Sequence, residues 1–239
     1  MVVKFIKNIL EKIIEEQRIK EQKLQEHIDS IDDQVVKNAS FKPLKKWWSS
    51  TSTHVLVEDN FWNYIFQINT FIKWIIWLFI ISPIISFGFI LSQEEILKQI
   101  LDIKILFENF FLYLLWFILI LPGIFMYFFL SKSYIFDFSD WYFYEKRFQK
   151  KLFEYSNDSK YQNKVIPLKN IHALQLLGEK VSWGKNNSSY TSYELNLILK
   201  DSSRINVIDH WNLEQIKDDA KKIAEKLKIK IYDITNFSI

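Results

Sequence analysis

The sequence predicts an α+β membrane protein that combines a two-helix transmembrane hairpin with a small soluble domain. Two apolar runs, residues 71–91 and 110–130, are each about as long as the roughly 20 residues that a helix needs to cross hydrocarbon. After residue 133 the apolar pattern changes from helical to alternating, and one amphipathic helix follows near the C-terminus. We therefore expect a small β-barrel or bent sheet, capped by the C-terminal helix, next to the hairpin.

These patterns divide the chain into four parts. Residues 1–36 form a charged amphipathic helix, and residues 37–67 form a juxtamembrane segment. Residues 68–131 form the hairpin, with helices at about 70–91 and 109–130, and residues 133–239 form the soluble domain. The N-terminus lacks the apolar stretch of a secretory signal, so the first transmembrane helix is expected to act as its own insertion signal.

The N-terminal helix carries an apolar stripe that two interpretations explain. In one, residues 1–36 bind a protein partner, a second copy of the chain or the membrane surface. In the other, the helix is solvated and leans on its own protein. The stripe begins with Ile6, Ile9, Leu10, Ile13 and Ile14.

The two apolar runs are predicted to anchor the protein rather than conduct a solute. Pro83 and Pro122 lie inside them, and each removes a backbone donor and favours a kink. Neither run has an ionisable residue near its middle, where a transport pathway would need one.

Basic residues near the apolar runs predict the orientation and a lipid contact. Cations directly after the second run place both termini in the cytoplasm of a multi-pass inner-membrane protein. Together with a basic aromatic cluster before the first run, they are candidates for contact with lipid headgroups. The alternative is that these cations only set the topology and solvate strand edges. The candidates are Lys45, Lys46, Trp47, Trp48, Lys132, Lys146, Arg147, Lys150 and Lys151.

The clearest local signals in the soluble part are a hairpin and a helix. Apolar and polar residues alternate over 193–199, residues 201–203 form a turn, and the alternation resumes at Ile205. Asn212 is then the expected N-cap of a helix whose apolar positions follow helical spacing to Leu227.

The sequence also resembles a bacterial membrane-protein family of unknown function. The resemblance rests on "SYELNLILKDSSRINVIDHWNLEQIKDDAKKIAEKLKI" and on the upstream "STHVLVED", and it extends over about residues 41–233. It implies two transmembrane helices followed by a pleckstrin-homology-like domain, and it implies no activity. Ser202 stands in the turn where we expect a glycine.

Composition excludes several kinds of chemistry. The chain has no cysteine, which excludes thiol catalysis and thiolate metal sites. Its net charge of +3, without a long basic block, predicts no nucleic-acid partner. The histidine spacing matches no metal motif, so neither a metal nor a cofactor is expected. Asp209 and His210 are adjacent and form a possible binding pair, or they have a capping or turn role.

We therefore expect a non-enzymatic integral membrane protein whose cytoplasmic domain binds a protein or a lipid. One alternative is a membrane enzyme or transport accessory that uses Asp209 and His210, with His54 joining them. A further alternative is an immunity or defence protein.

Overall fold

The computed structural model describes residues 2–44, 53–92, 110–130, 132–151, 164–183 and 188–237. The helices in these ranges are α1 (Val2–Ser30), α2 (Gln34–Asn38), α3 (Thr70–Leu91), α4 (Phe110–Leu130) and α5 (Leu213–Leu227). The strands are β1 (His54–Glu58), β2 (Tyr64–Ile68), β3 (Tyr134–Asp137), β4 (Tyr142–Glu145), β5 (Val165–Pro167), β6 (Ile171–Trp183), β7 (Ser188–Leu199), β8 (Arg204–His210) and β9 (Lys230–Ile234).

The first sheet joins strands from both sides of the apolar helices. Its order is β1-β2-β3-β4-β5, and each neighbouring pair is antiparallel. β2 precedes α3 and β3 follows α4, yet the two strands pair, with Phe66 opposite Tyr134. The juxtamembrane segment, which the sequence set apart from the soluble domain, therefore supplies two strands to a sheet that continues in that domain.

This pairing makes α3 and α4 an insertion between two adjacent strands. The end of β2 lies beside the start of β3, so the first turn of α3 and the last turn of α4 leave the same end of the sheet. With 22 and 21 residues, the helices are about 33 and 32 Å long at 1.5 Å per residue. They pack closely where Gly123 of α4 faces Ile76 and Ile80 of α3.

Among the described residues, one helix meets the length and hydropathy requirements of a membrane span. This stretch is Thr70–Phe89 in α3, and few of its residues are buried inside the protein. In α4 the apolar stretch with described side chains is the shorter Ile120–Leu130. The structure thus supports one candidate span, whereas the sequence predicts two.

The second sheet contains the predicted hairpin, and the predicted helix connects two of its strands. Its order is β8-β7-β6-β9, with β9 parallel to β6 and α5 crossing between β8 and β9. Ser202 has a φ of 65°, a left-handed conformation that favours glycine. The Asp201 carboxylate accepts hydrogen bonds from the Ser203 amide at 2.9 Å and its hydroxyl at 2.5 Å, which stabilise this turn. The Asn212 side chain caps α5 as predicted.

A closed barrel, one of the two predicted forms, is wrong for the described strands. They make two open sheets because β5 and β6, which are consecutive in the chain, belong to different sheets. The mixed α+β class is confirmed. Both sheets and α5 contribute to one apolar core, which includes Phe66, Phe136, Phe143, Leu174, Leu176, Leu195, Leu197, Ile216, Ala220 and Ile223.

The N-terminal helix rests on its own protein in only part of its length. The predicted single helix is broken between α1 and α2, and Ile31, Val36 and Phe41 are buried against the other face of the second sheet. Earlier in α1, by contrast, Leu10 and Ile14 are exposed. Of the two interpretations of the N-terminal segment, packing against its own protein therefore holds near residues 31–41.

Asp33 joins the break between α1 and α2 to the second sheet. One carboxylate oxygen caps α2 by accepting hydrogen bonds from the amides of Val35 and Val36. The other lies 2.8 Å from Nε2 of His172 in β6 and accepts a hydrogen bond from the Tyr232 hydroxyl of β9 at 3.0 Å. Burial opposes ionisation of Asp33, but the hydrogen bonds outweigh it and lower the pKa of its carboxyl group.

We expect Asp33→Ala to lower the free energy of unfolding by about 2 kcal/mol, because it removes an N-cap and partly buried hydrogen bonds. Hydrogen–deuterium exchange should become faster over residues 34–44. The neighbouring exposed Asp32 gives a matched control, Asp32→Ala, which should leave exchange there unchanged. Equal effects of the two variants would contradict the role assigned to Asp33.

Candidate functional site

A cavity lies where α4 ends, between the two sheets. Its volume is about 340 Å³, at the lower end of the range for ligand pockets. One part of the lining is apolar and the other carries hydrogen-bonding and charged groups. The apolar residues are Phe66, Phe129, Leu130, Val207 and Ile208, and the polar ones are Thr53, His54, Lys132, Tyr134 and Asp209.

The insertion of the helices between β2 and β3 creates this cavity. It brings the last turn of α4, which carries Phe129 and Leu130, next to the start of β1. β8 of the second sheet forms the opposite wall through residues 207–209. The cavity therefore combines residues that lie about 150 positions apart in the chain.

His54, the first residue of β1, connects this strand to the chain that leaves α4. Its Nε2 lies 2.7 Å from the backbone oxygen of Lys132, and its Nδ1 lies 2.8 Å from Oγ1 of Thr53. Because a carbonyl oxygen only accepts, Nε2 carries a proton and donates this hydrogen bond. His54 thus holds Lys132 at the cavity through its backbone.

The structure separates the predicted pair Asp209 and His210. The two are consecutive in β8 and lie on opposite faces of the strand. Asp209 lines the cavity and accepts a hydrogen bond from Nδ2 of Asn206 at 2.7 Å.

His210 does not line the cavity. It is buried at the end of β8, where the chain turns towards α5. Its side chain is 1% exposed, and Nδ1 lies 3.0 Å from the backbone nitrogen of Asn212. Within the described part of the chain, Nε2 has no hydrogen-bond partner. Burial lowers the pKa of His210, which favours the neutral ring. His54 and His210 therefore do not converge on one pocket.

A buried polar layer on the second sheet was missed by sequence reasoning. Glu194, 1% exposed, accepts hydrogen bonds from the Leu44 amide at 3.0 Å and from Nδ2 of Asn196 at 3.1 Å. Arg204 donates to Oε1 of Gln175 at 2.7 Å and to the backbone oxygen of Lys42 at 2.6 Å. Alternation made these positions look solvent-facing, but the segment after α2 covers them.

The predicted lipid-contacting cations are only partly described. Lys132, Lys146 and Arg147 are exposed, and Arg147 pairs with Glu145 at 2.8 Å. Lys150 and Lys151 belong to the 3-10 helix Lys146–Lys151, but their side chains lie outside the described residues. The cluster Lys45, Lys46, Trp47 and Trp48 also lies outside them. Lipid contact by these groups stays a prediction.

Acidic and imidazole side chains do not gather into a metal site in the part of the chain that is described. There, no three such groups lie close enough to hold an ion.

In the part of the chain that the structure describes, the fold and the site define a mixed α+β protein with two open sheets and a mixed polar and apolar cavity. One helix there is long and apolar enough to cross a membrane. Comparison of the chain with protein-family models, with curated proteins and with solved structures gave no match. The resemblance to an uncharacterised bacterial membrane-protein family consequently stays a prediction.

Proposed function

We propose that this chain is a non-enzymatic integral membrane protein whose α3–α4 hairpin spans the inner membrane twice. The two sheets and α5 then form a cytoplasmic domain at the membrane surface that binds lipid or protein. The pleckstrin-homology-like plan implied by the family resemblance belongs to the same proposal, with open sheets in place of a closed barrel.

The exposure of large apolar side chains on both helices carries this proposal. Trp74 is 71% exposed, Leu78 64%, Phe89 68% and Phe128 70%. A soluble protein rarely exposes so large an apolar surface, because each side chain left in water forgoes about 1.5–3 kcal/mol of burial. The core helix of a soluble protein would have these groups covered. Lipid hydrocarbon is an environment that matches them.

The geometry of the hairpin supports a double span. α4 has 21 residues and leaves the first sheet beside α3, so both helices extend in the same direction from the domain. Their lengths of about 33 and 32 Å are close to the roughly 30 Å thickness of the hydrocarbon core. Exposed Lys132 directly follows α4 and favours a cytoplasmic domain.

Single-cysteine labelling tests the proposal, since the chain has no cysteine of its own. Ser92→Cys marks the far end of α3, and Asp218→Cys marks the exposed face of α5. In intact spheroplasts, we expect a membrane-impermeant maleimide to label Ser92→Cys. Asp218→Cys should be labelled only after lysis.

Carbonate extraction of the same membranes provides the control for insertion. The protein should stay in the membrane pellet, and both cysteine variants should label equally after detergent solubilisation. Labelling of both positions on one side of the membrane, or release of the chain by carbonate, would refute the double span.

A further inference from the structure

Among the described residues that line the cavity at the end of α4, one is cationic and one is anionic, and both lie beside an apolar wall. Lys132 supplies an ammonium group and Asp209 a carboxylate. Lys132 is exposed to solvent. Phe129 and Leu130 continue the wall directly into the last turn of the apolar helix.

This cavity lies at the level where a bilayer changes from hydrocarbon to headgroups, if α4 spans the membrane. The apolar part of α4 ends at Leu130, and Lys132 follows two residues later. A phospholipid beside α4 would therefore present its headgroup to Lys132 and Asp209, and the first part of its chains to Phe129.

We propose that the cavity binds a zwitterionic phospholipid with a primary ammonium group, of the phosphatidylethanolamine type. Its phosphate pairs with Lys132, its ammonium group donates to Asp209, and the beginning of an acyl chain lies on the apolar wall. This inference rests on the proposed function, because lipid reaches the cavity only from a membrane that α4 enters.

The charge of the lining selects this headgroup over two others. An anionic headgroup such as phosphatidylglycerol would pair with Lys132 but carries no cationic group to pair with Asp209. A choline headgroup has no N–H to donate to a carboxylate, whereas a primary ammonium group has three. Charge-assisted hydrogen bonds of this kind are about twice as strong as neutral ones.

The other polar groups and the size of the cavity agree with one headgroup. Both ring nitrogens of His54 are engaged, so His54 shapes the cavity rather than binding the ligand's charge. Burial, reinforced by the nearby Glu145, raises the pKa of Tyr134, which keeps its hydroxyl neutral. A volume of about 340 Å³ suits a headgroup with the start of a chain rather than an entire lipid.

Native mass spectrometry of the full chain in mild detergent tests the proposal. The protein is titrated separately with phosphatidylethanolamine, phosphatidylglycerol and phosphatidylcholine. We expect one phosphatidylethanolamine to bind per chain in preference to the other two. Lys132→Gln and Asp209→Asn should each weaken this binding about tenfold, the change expected for loss of a charge-assisted hydrogen bond.

Two exposed residues outside the cavity provide matched controls. Lys169→Gln and Asp218→Asn make the same charge changes and should bind phosphatidylethanolamine like the unaltered chain. Circular dichroism checks that all four variants are folded. Equal binding of the three lipids, or unchanged binding by both cavity variants, would overturn the proposal. If carbonate extraction and labelling still show a double span, that failure leaves the proposed function standing.

Discussion

Gly123→Leu is expected to separate the two apolar helices and to lower the free energy of unfolding by about 3 kcal/mol, at the upper end of overpacking effects. A Cβ at this position would lie 2.7 Å from Cγ1 of Ile80, 3.0 Å from Cβ of Phe79 and 3.1 Å from the backbone oxygen of Ile76. The Ile80 side chain can turn aside, but the backbone of α3 cannot do so without moving the helix. Small residues allow this close approach between membrane helices.

Thermal unfolding of the purified protein in mild detergent measures the effect of Gly123→Leu. The other helix offers a matched control, because a Cβ on Gly88 would meet nothing within 4 Å. Gly88→Leu should therefore leave the midpoint nearly unchanged. If Gly123→Leu unfolds at the same temperature as Gly88→Leu, the helices are not packed through Gly123.

Asp219→Asn is expected to stabilise the protein by about 2 kcal/mol at neutral pH. Asp219 is buried on the face of α5 that also carries Ile216 and Ile223, within the core shared by both sheets. Burial raises the pKa of its carboxyl group to about 6, and Lys222 only partly offsets this. At pH 7 the folded protein therefore holds a carboxylate that would be more stable in water, and asparagine removes that cost.

The pH dependence gives this prediction a definite sign. The folded pKa of about 6 lies above the unfolded value near 3.9. Between these values the folded chain binds the proton more tightly, so the stability contributed by this group increases as pH falls from about 7 to about 4. The advantage of Asp219→Asn over the unaltered chain should shrink over that interval.

Asp218 provides a comparison because it is the exposed neighbour of Asp219, and its charge contributes much less than burial to the raised pKa of Asp219. We expect Asp218→Asn to change the unfolding midpoint little at any pH between 4 and 7.5. An advantage of Asp219→Asn that stays constant from pH 7.5 to pH 4 would contradict the raised pKa of Asp219.

Local sequence signals predicted the hairpin of β7 and β8 and the helix α5. Alternation over residues 193–199 requires one buried face, and the turn at Ser202 follows from Asp201 and Ser203 close by in the chain. The Asn212 cap needs only contacts three residues away. Each of these features depends on neighbours in sequence, and periodicity and capping describe such neighbours.

Features that depend on distant residues could not be predicted in the same way. The pairing of β2 with β3 joins strands separated by both apolar helices. Strands of only five and four residues contain no sequence pattern that identifies their pairing partner. The cavity follows from this pairing. The buried state of Glu194 depends on Leu44, 150 residues earlier in the chain.

The sequence alone determined the apolar runs, the hairpin of the second sheet and its capped helix, because all three arise from local periodicity and short-range hydrogen bonds. Tertiary structure decided that the strands before and after the apolar helices form one sheet. It also decided that Asp209 faces the cavity while His210 faces the core. These arrangements depend on contacts between segments that lie far apart in the sequence. Many partner segments are equally compatible with the local pattern, and only packing of the whole chain selects one of them.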